Sequence, residues 1–284
     1  MLAPNASTGR ASMKRVVALG SGDAFSSAGR GNTSWLVEDG APLCAVDFGP
    51  TAVFALRRLG RDPQELRALH FTHLHGDHIA GWPFLLVDSV YRARRTEPLA
   101  VTGPPGTRDR LQALWAACYA DAAAKELPFA IELRELAPGE SADICGRRVE
   151  ALGAFHQRAP HVALSLRLHG PAGVLAFTGD TGPHPGLAAL ARGARLLCAE
   201  CTDLRTPASP AAGASPDYPA EAGRRHLSWD DLRELLPGLG VRQTALGHLG
   251  SEARAAAASI EAEARALGLT VIVCDDLASI DLGD

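Results

Sequence analysis

"FTHLHGDHIAG", residues 71–81, sets three histidines and one aspartate within six positions: His73, His75, Asp77 and His78. The whole chain has ten histidines in 284 residues, so this density is a property of the stretch rather than of the composition. In an extended segment residues i and i+2 point the same way, so His73 and His75 can grip one ion together. Asp77 and His78 turn away from that pair and can serve a second ion. Neutral imidazoles beside a carboxylate are preferred donors for Zn²⁺ and related divalent cations. A lone histidine would read as a hydrogen-bonded surface residue; four potential ligands in six positions read as a metal site. His70 lies in the preceding apolar run and outside the pattern, which makes it a core residue or a support for the ligands.

Outward from this stretch, "LRALHFT" (66–72) is a buried strand that delivers the histidine loop, and "IAGWPFLLVDSVYRA" after it has helical spacing. Upstream, "RVVALG" (15–20), "TSWLVED" and "LCAVDFG" (43–49) read as strands, followed by an amphipathic helix "TAVFALRRLG" that stops at Gly60. Downstream come a helix "TRDRLQALWAACYADAAAK" and four strands, "FAIELREL", "RRVEALGAF", "HVALSLRLHG" and "GVLAFTGD". Alternating helices and strands then run to "TVIVCDD". Two strand blocks with interleaved helices predict sheets covered by helices in a layered α/β domain. Residues 1–13 read as a disordered tail and 14–284 as a single domain. The Pro-, Ala- and Ser-rich segment "LRTPASPAAGASPDYPAE" (204–221) reads as a long surface loop or lid.

Composition narrows the function. A hydrophobic fraction of 46% and a charged fraction of 21% describe a globular chain, and a net charge of −4 gives no global basic field for nucleic acid. Lys14 and Lys125 are the only lysines, so any cationic patch is made of arginine. The six cysteines are scattered through apolar surroundings, as expected of buried thiols, and the Cys198–Cys201 pair lacks a second pair to complete a zinc knuckle. "LGSGDAF" begins like a dinucleotide loop but carries Phe25 where the third glycine belongs, and neither a P-loop nor a G-x-S-x-G elbow occurs. No segment approaches 18 uninterrupted apolar residues, and the expected location is the cytoplasm.

Four local donors cannot complete two coordination spheres, so further ligands are expected downstream. Asp180 in "FTGDTG" and His248 in "ALGHLG" each follow an apolar strand, and His156 lies at a strand end with His161 as a rival five residues on. Strand C-termini are where α/β sites collect.

With these residues assembled, the sequence resembles the metallo-β-lactamase superfamily. "THLHGDH" matches its H-x-H-x-D-H signature, and His156, Asp180 and His248 follow in the order of its later ligands. Within the superfamily the chain is most similar to the ribonuclease Z and phosphodiesterase branch. The carriers are "LGSGDAFSSAGRGNTSWLV", "VDFG" (46–49), "GARLLCAECT" with Glu200, and "HLS" (226–228), which lies 22 positions before His248. Three departures stand out: Arg225 replaces an acidic residue before His226, "GHLGSEAR" replaces a Ser-x-Arg-type stretch, and no long basic tRNA-binding arm is visible between residues 80 and 150.

The resemblance implies a four-layer αβ/βα sandwich with a dinuclear site. His73, His75 and His156 would bind one ion, Asp77, His78 and His248 the other, and Asp180 would bridge. Two divalent ions are implied, zinc first, with manganese or iron as alternatives. The implied activity is hydrolysis of a phosphodiester, in RNA or a small nucleotide-like molecule, by a metal-bound hydroxide. Asp77 and His226 would be its catalytic residues, His226 protonating the leaving group, and Asp47 and Glu200 would orient the ligand imidazoles. Other readings are a hydrolase of another ester, thioester or lactam, and a metal-binding scaffold or redox protein without turnover. A homodimer is the assembly the resemblance suggests.

Overall fold

The apolar run Arg15–Gly20 is buried almost throughout because it is sandwiched on both faces: Val16 and Ala18 belong to one core, Val17 and Leu19 to another. A strand covered on both sides reads as continuous apolar sequence rather than alternation. The computed structural model describes residues 14–206 and 224–283. The expected tail at 1–13 and residues 207–221 of the expected lid lie outside the described residues.

In chain order the first half gives β1 (Arg15–Gly20), β2 (Ser34–Glu38), β3 (Cys44–Val46), α1 (Ala52–Arg58), β4 (Ala68–His70), α2 (Gly76–Ile79), α3 (Trp82–Val87), β5 (Leu99–Gly103), α4 (Thr107–Cys118), α5 (Ala120–Ala123) and β6 (Ile131–Glu135). The second half gives β7 (Ser141–Ile144), β8 (Arg147–Gly153), β9 (Leu164–Gly170), β10 (Gly173–Phe177), α6 (Gly186–Ala191), β11 (Leu196–Glu200), α7 (Trp229–Leu235), β12 (Gln243–Gly247), α8 (Ser251–Ala255), α9 (Ala257–Ala266), β13 (Val271–Val273) and β14 (Ser279–Asp281). Two seven-stranded sheets result, in the orders β14-β1-β2-β3-β4-β5-β6 and β13-β12-β11-β10-β9-β8-β7.

The inner faces pack on each other through residues such as Trp35, Val46, Leu166 and Phe177. On the outer face of the first sheet, Leu36, Leu69 and Val101 meet Leu56 of α1, Leu85 of α3 and Trp115 of α4. On the outer face of the second, Leu197 and Leu246 meet Leu190 of α6, Trp229 of α7 and Ile260 of α9. Three apolar layers between four structural layers make the αβ/βα sandwich, as expected. Among the described residues no helix is long and apolar enough to cross a membrane.

The structure differs from the sequence expectation in detail. The helix expected over 107–125 breaks at Tyr119, whose φ of −143° and ψ of 66° leave helical space. The helix expected over 79–93 is α3 followed by a wider π turn at Asp88–Arg92, tied down by Arg57–Asp88 and Arg92–Asp62 ion pairs. Strands β7 and β14 were not expected, because "SADI" and "SID" are too short and polar to show a period.

Candidate metal centre

Strand direction explains why residues from six separate segments meet. β3 and β4 are parallel, so Asp47 and the 71–78 loop leave the same edge of the first sheet. β8 is antiparallel to β9, and β9 to β10, so β8 and β10 run the same way, and β10, β11 and β12 are parallel. His156, Asp180, Glu200 and His248 therefore leave, or end, C-terminal strand edges of the second sheet, where α/β sites form. Leu249 N–H donates to Ser21 O (3.0 Å), joining the two edges beside His248.

The chain is threaded closely here. Gly49, of "VDFG", donates its N–H to Ser34 Oγ (3.0 Å), and a Cβ on it would lie 2.2 Å from Asp77 O. Gly179 holds a φ of 59°, so that Asp180 can follow β10 directly into the site. Two non-glycine residues of the site, Asp47 (φ 57°) and His248 (φ 49°), also sit in left-handed space, a strain that persists only where surroundings over-determine it.

Two groups of donors result. His75 Nδ1 lies 3.0 Å from His73 Nε2 and 3.0 Å from His156 Nε2. Nitrogens bound about 2.0–2.1 Å from one zinc would lie roughly 3.3 Å apart in tetrahedral geometry, so the three converge on one cation-sized point. In the second group, His78 Nε2 is 3.2 Å from Asp77 Oδ2 and 3.3 Å from Asp180 Oδ1, and His248 Nε2 is 3.2 Å from Asp180 Oδ2 and 3.6 Å from Asp77 Oδ2. Asp180 Oδ2 is also 3.8 Å from His73 Nε2 and 3.7 Å from His156 Nε2, which puts this carboxylate between the groups. His78 Nε2, His248 Nε2 and Asp180 Oδ1 are buried with no hydrogen-bond partner. Buried polar atoms are almost always paired, so three orphans facing one space fit a divalent cation.

Hydrogen bonds on the far side of each ring fix which nitrogen is free. Asp47 accepts from His78 Nδ1 (2.8 Å), from Thr72 N–H (2.8 Å) and from Thr72 Oγ1 (2.8 Å), and His73 Nδ1 in turn meets Thr72 Oγ1 (3.1 Å). Glu200 accepts from Thr202 Oγ1 (2.7 Å), which lies 2.9 Å from His248 Nδ1, and from His226 Nδ1 (3.1 Å). His156 Nδ1 donates to the Arg225 carbonyl (3.0 Å). In His73, His78, His156 and His248 these contacts leave Nε2 as the lone pair that faces the site.

The two groups differ electrostatically. Burial, together with neighbouring imidazoles, holds His73 well below the ordinary histidine range, and burial also lowers His75 and His156. These three are neutral and ready as ligands. Burial is the largest single influence on His78 and His248 and opposes their charge, yet Asp180 with Asp47 at His78, and Asp180 with Asp77 and Glu200 at His248, together exceed it, and both imidazoles are raised. Asp77 and Asp180 are lowered against burial by those same histidines.

His226 is outside both groups. Its ring stacks on that of His248 at 5.2 Å between centroids and 12° between planes, and Leu227 and the capping pair Ser228–Asp231 anchor it at the head of α7. Burial disfavours its proton, but Glu200 overcomes this and pushes it up to about 9.

All seven residues expected as ligands thus lie in one place, with Asp77 at the second group and His226 beside them. Of the rivals, His156 projects into the site while His161 lines the pocket next to it. His70 is buried in the core with Nδ1 on Thr102 Oγ1 (2.8 Å), away from the donors. Among the described residues no potential metal group includes Cys198 or Cys201. Sequence reasoning missed Thr72 and Thr202; the one available signal was that Thr202 stands two residues after Glu200, at same-face spacing.

Residues 14–208 match the family described as "Anti-Pycsar protein Apyc1". A ribonuclease Z from Methanothermobacter thermautotrophicus is 26% identical over 95% of this chain and 97% of its own length. Another, from Mycobacterium marinum, is 32% identical over 65% of this chain and 69% of its own. Among solved structures, the metallo-β-lactamase fold protein YhfI from Bacillus subtilis superposes with a TM-score of 0.72 at 17% identity, covering 94% of this chain and 98% of that one.

Proposed function

This chain belongs to the anti-Pycsar Apyc1 family, within the ribonuclease Z and phosphodiesterase-like branch of the metallo-β-lactamase superfamily, and on that premise we propose that it is a metal-dependent phosphodiester hydrolase. The observation that carries the reading is the convergence of seven donors on two adjoining points, with Asp180 between them and three buried donor atoms unpaired. His73, His75 and His156 would hold one divalent ion, Asp77, His78 and His248 a second, and Asp180 both, with zinc the best match to this nitrogen-rich set. When bound, such an ion pair supplies an activated water nucleophile and neutralises charge building on the phosphoryl oxygens.

The chain's own residues do the rest. Asp47 and Glu200 hold the imidazoles in the tautomer that presents Nε2 to the ions. Glu200 keeps His226 protonated at neutral pH by bonding Nδ1, so that Nε2–H can donate to the departing oxygen. Substrate is proposed to reach the centre through a cavity of about 440 Å³ beside His75 and His156. Its class is a phosphodiester, in RNA or a smaller nucleotide-like molecule, met in the cytoplasm.

The test pairs metal analysis of the purified protein with hydrolysis of bis(p-nitrophenyl) phosphate. Two equivalents of metal and a turnover that a chelator abolishes and metal restores are expected. Inert behaviour toward the diester, alongside clear thioester or lactam hydrolysis by the metal-loaded protein, would refute the assignment.

A further inference from the structure

The consecutive residues Arg224, Arg225 and His226 each meet the metal centre through a different group. The Arg224 carbonyl faces Gly182, which follows Asp180 by two positions, so closely that a Cβ on Gly182 would lie 1.8 Å from its oxygen. The Arg225 carbonyl accepts the Nδ1–H of His156 (3.0 Å) and so turns Nε2 of that ring toward the other donors. The His226 ring lies between one imidazole of each donor group, 4.9 Å from His156 with the planes at 70° and 5.2 Å from His248 with the planes at 12°. One short peptide therefore aligns a ligand of the first ion with the proposed acid.

An ion pair at the leading residue holds that peptide. Arg224 Nη2 donates to Asp231 Oδ1 (2.5 Å), and both side chains are largely buried. The other oxygen of this carboxylate, Oδ2, accepts from Ser228 N–H (2.8 Å) and Ser228 Oγ (2.7 Å) at the head of α7. Asp231 thus fixes the peptide on both sides of Arg225 and His226, at Arg224 before them and at Ser228 after. The far side has a second anchor, since Asp203 N–H donates to Leu227 O (3.2 Å) and Trp229 N–H to Asp203 O (3.0 Å). Loss of the Arg224 pair therefore loosens the side that carries Arg225 and His226 while the start of α7 stays capped.

We propose that Arg224 is a positioning residue for the reaction, setting through Asp231 both the orientation of His156 at the first ion and the reach of His226 to the departing oxygen. This rests on the phosphodiesterase reading above. Arg224 acts through the peptide it begins and not on the substrate. Its contact joins one guanidinium nitrogen to one carboxylate oxygen, a point-charge contact that an ammonium can also make.

The test compares R224A and R224K with the wild-type protein in two measurements. One is metal competition by a chelator, read together with the visible spectrum of the cobalt-substituted protein, which reports the nitrogens bound. R224A should give up one equivalent at about 10–100-fold lower chelator concentration, the range for losing an outer support of a ligand, with altered cobalt absorption. The other is the ratio of kcat for methyl p-nitrophenyl phosphate to kcat for methyl phenyl phosphate. p-Nitrophenolate departs without a proton and phenolate gains from one, so a misplaced acid should widen the ratio in R224A about tenfold or more. R224K should recover most of both losses. Melts of the metal-free variants read the fold separately. An R224A protein that is less stable but keeps its metal affinity and its ratio would make Arg224 a strut for α7 and overturn the proposal. R224K no better than R224A would overturn it too, because the ion pair would not be the agent. A wild-type protein that binds metal and cleaves neither diester would instead refute the phosphodiesterase reading, with the metal measurement still deciding the role of Arg224.

Discussion

Asp47→Asn is the sharpest single perturbation, because one carboxylate supports a histidine in each half of the centre. Asp47 Oδ2 takes the His78 Nδ1 proton directly and reaches His73 through the Thr72 hydroxyl, while Oδ1 takes the Thr72 N–H. Asparagine keeps the shape and accepts the left-handed φ of 57°, whereas alanine would add about 1–2 kcal/mol of backbone strain. The amide has one acceptor oxygen where the carboxylate has two. Whichever way it turns, a buried donor is left facing an NH₂ group, at about 1–3 kcal/mol. Loss of the charge also weakens both histidines as ligands, and removing one such support lowers metal affinity about 10–100-fold. The expected result is a folded protein, destabilised by about 1–3 kcal/mol in a denaturant melt, that loses metal to a competing chelator at 10–100-fold lower concentration. Activity should return in part at saturating metal. Wild-type affinity in a destabilised protein would show that Asp47 only packs the loop, and the tautomer argument would fall.

Three further outcomes follow. His226→Gln should keep its metal and lose about 10²–10⁴-fold in kcat; full activity, or lost metal, would remove His226 from its role in proton transfer. His70 is held at about 3 by burial, with the Arg147 charge second, against 6.5 when unfolded. The unfolded chain therefore binds the extra proton, stability is complete above pH 6.5 and declines as pH falls toward 3, and about 2 kcal/mol is gone by pH 5; a difference in pH 8-to-5 melts between wild type and His70→Gln should show it, and identical slopes would refute it. Metal loading should release protons, since His78 and His248 hold them in the metal-free state, and a pH-stat trace with no release at neutral pH would contradict their raised affinity.

The local part of the site was legible in the sequence because its residues are neighbours: His73, His75, Asp77 and His78 share one loop, and spacing alone implies convergence. His156, Asp180 and His248 were legible only as strand-end residues, and their meeting depends on which strands run parallel. Choosing between His156 and His161 was beyond spacing, because β8 ends at Gly153 and the loop geometry after it decides which ring reaches the other donors. Thr72 was invisible, since a threonine beside a histidine carries no signal of its own, and Thr202 had only its same-face spacing from Glu200 to mark it. The layered fold was readable from continuous apolar strands, which need cover on both faces; β7 and β14 were not, being held by pairing at the sheet edges rather than by apolar pattern.

The two sheets solve the same problem in the same way. On the first, Asp47 and Thr72 form a carboxylate–hydroxyl relay that fixes His73 and, directly, His78. On the second, Glu200 and Thr202 form a relay that fixes His248 and, directly, His226. The hydroxyl has one proton, which goes to the carboxylate, so its oxygen can only accept from the imidazole Nδ1–H, and Nε2 is the nitrogen whose lone pair a metal would take. A carboxylate alone could bond the same rings but would add more negative charge beside Asp77 and Asp180, which already raise His78 and His248. Interposing a neutral hydroxyl orients His73 and His248 while keeping a formal charge one group further away. The relays thus account for a centre that gathers six histidines and four carboxylates in little space while directing Nε2 of His73, His78 and His248 toward the other donors, as the Arg225 carbonyl does for His156.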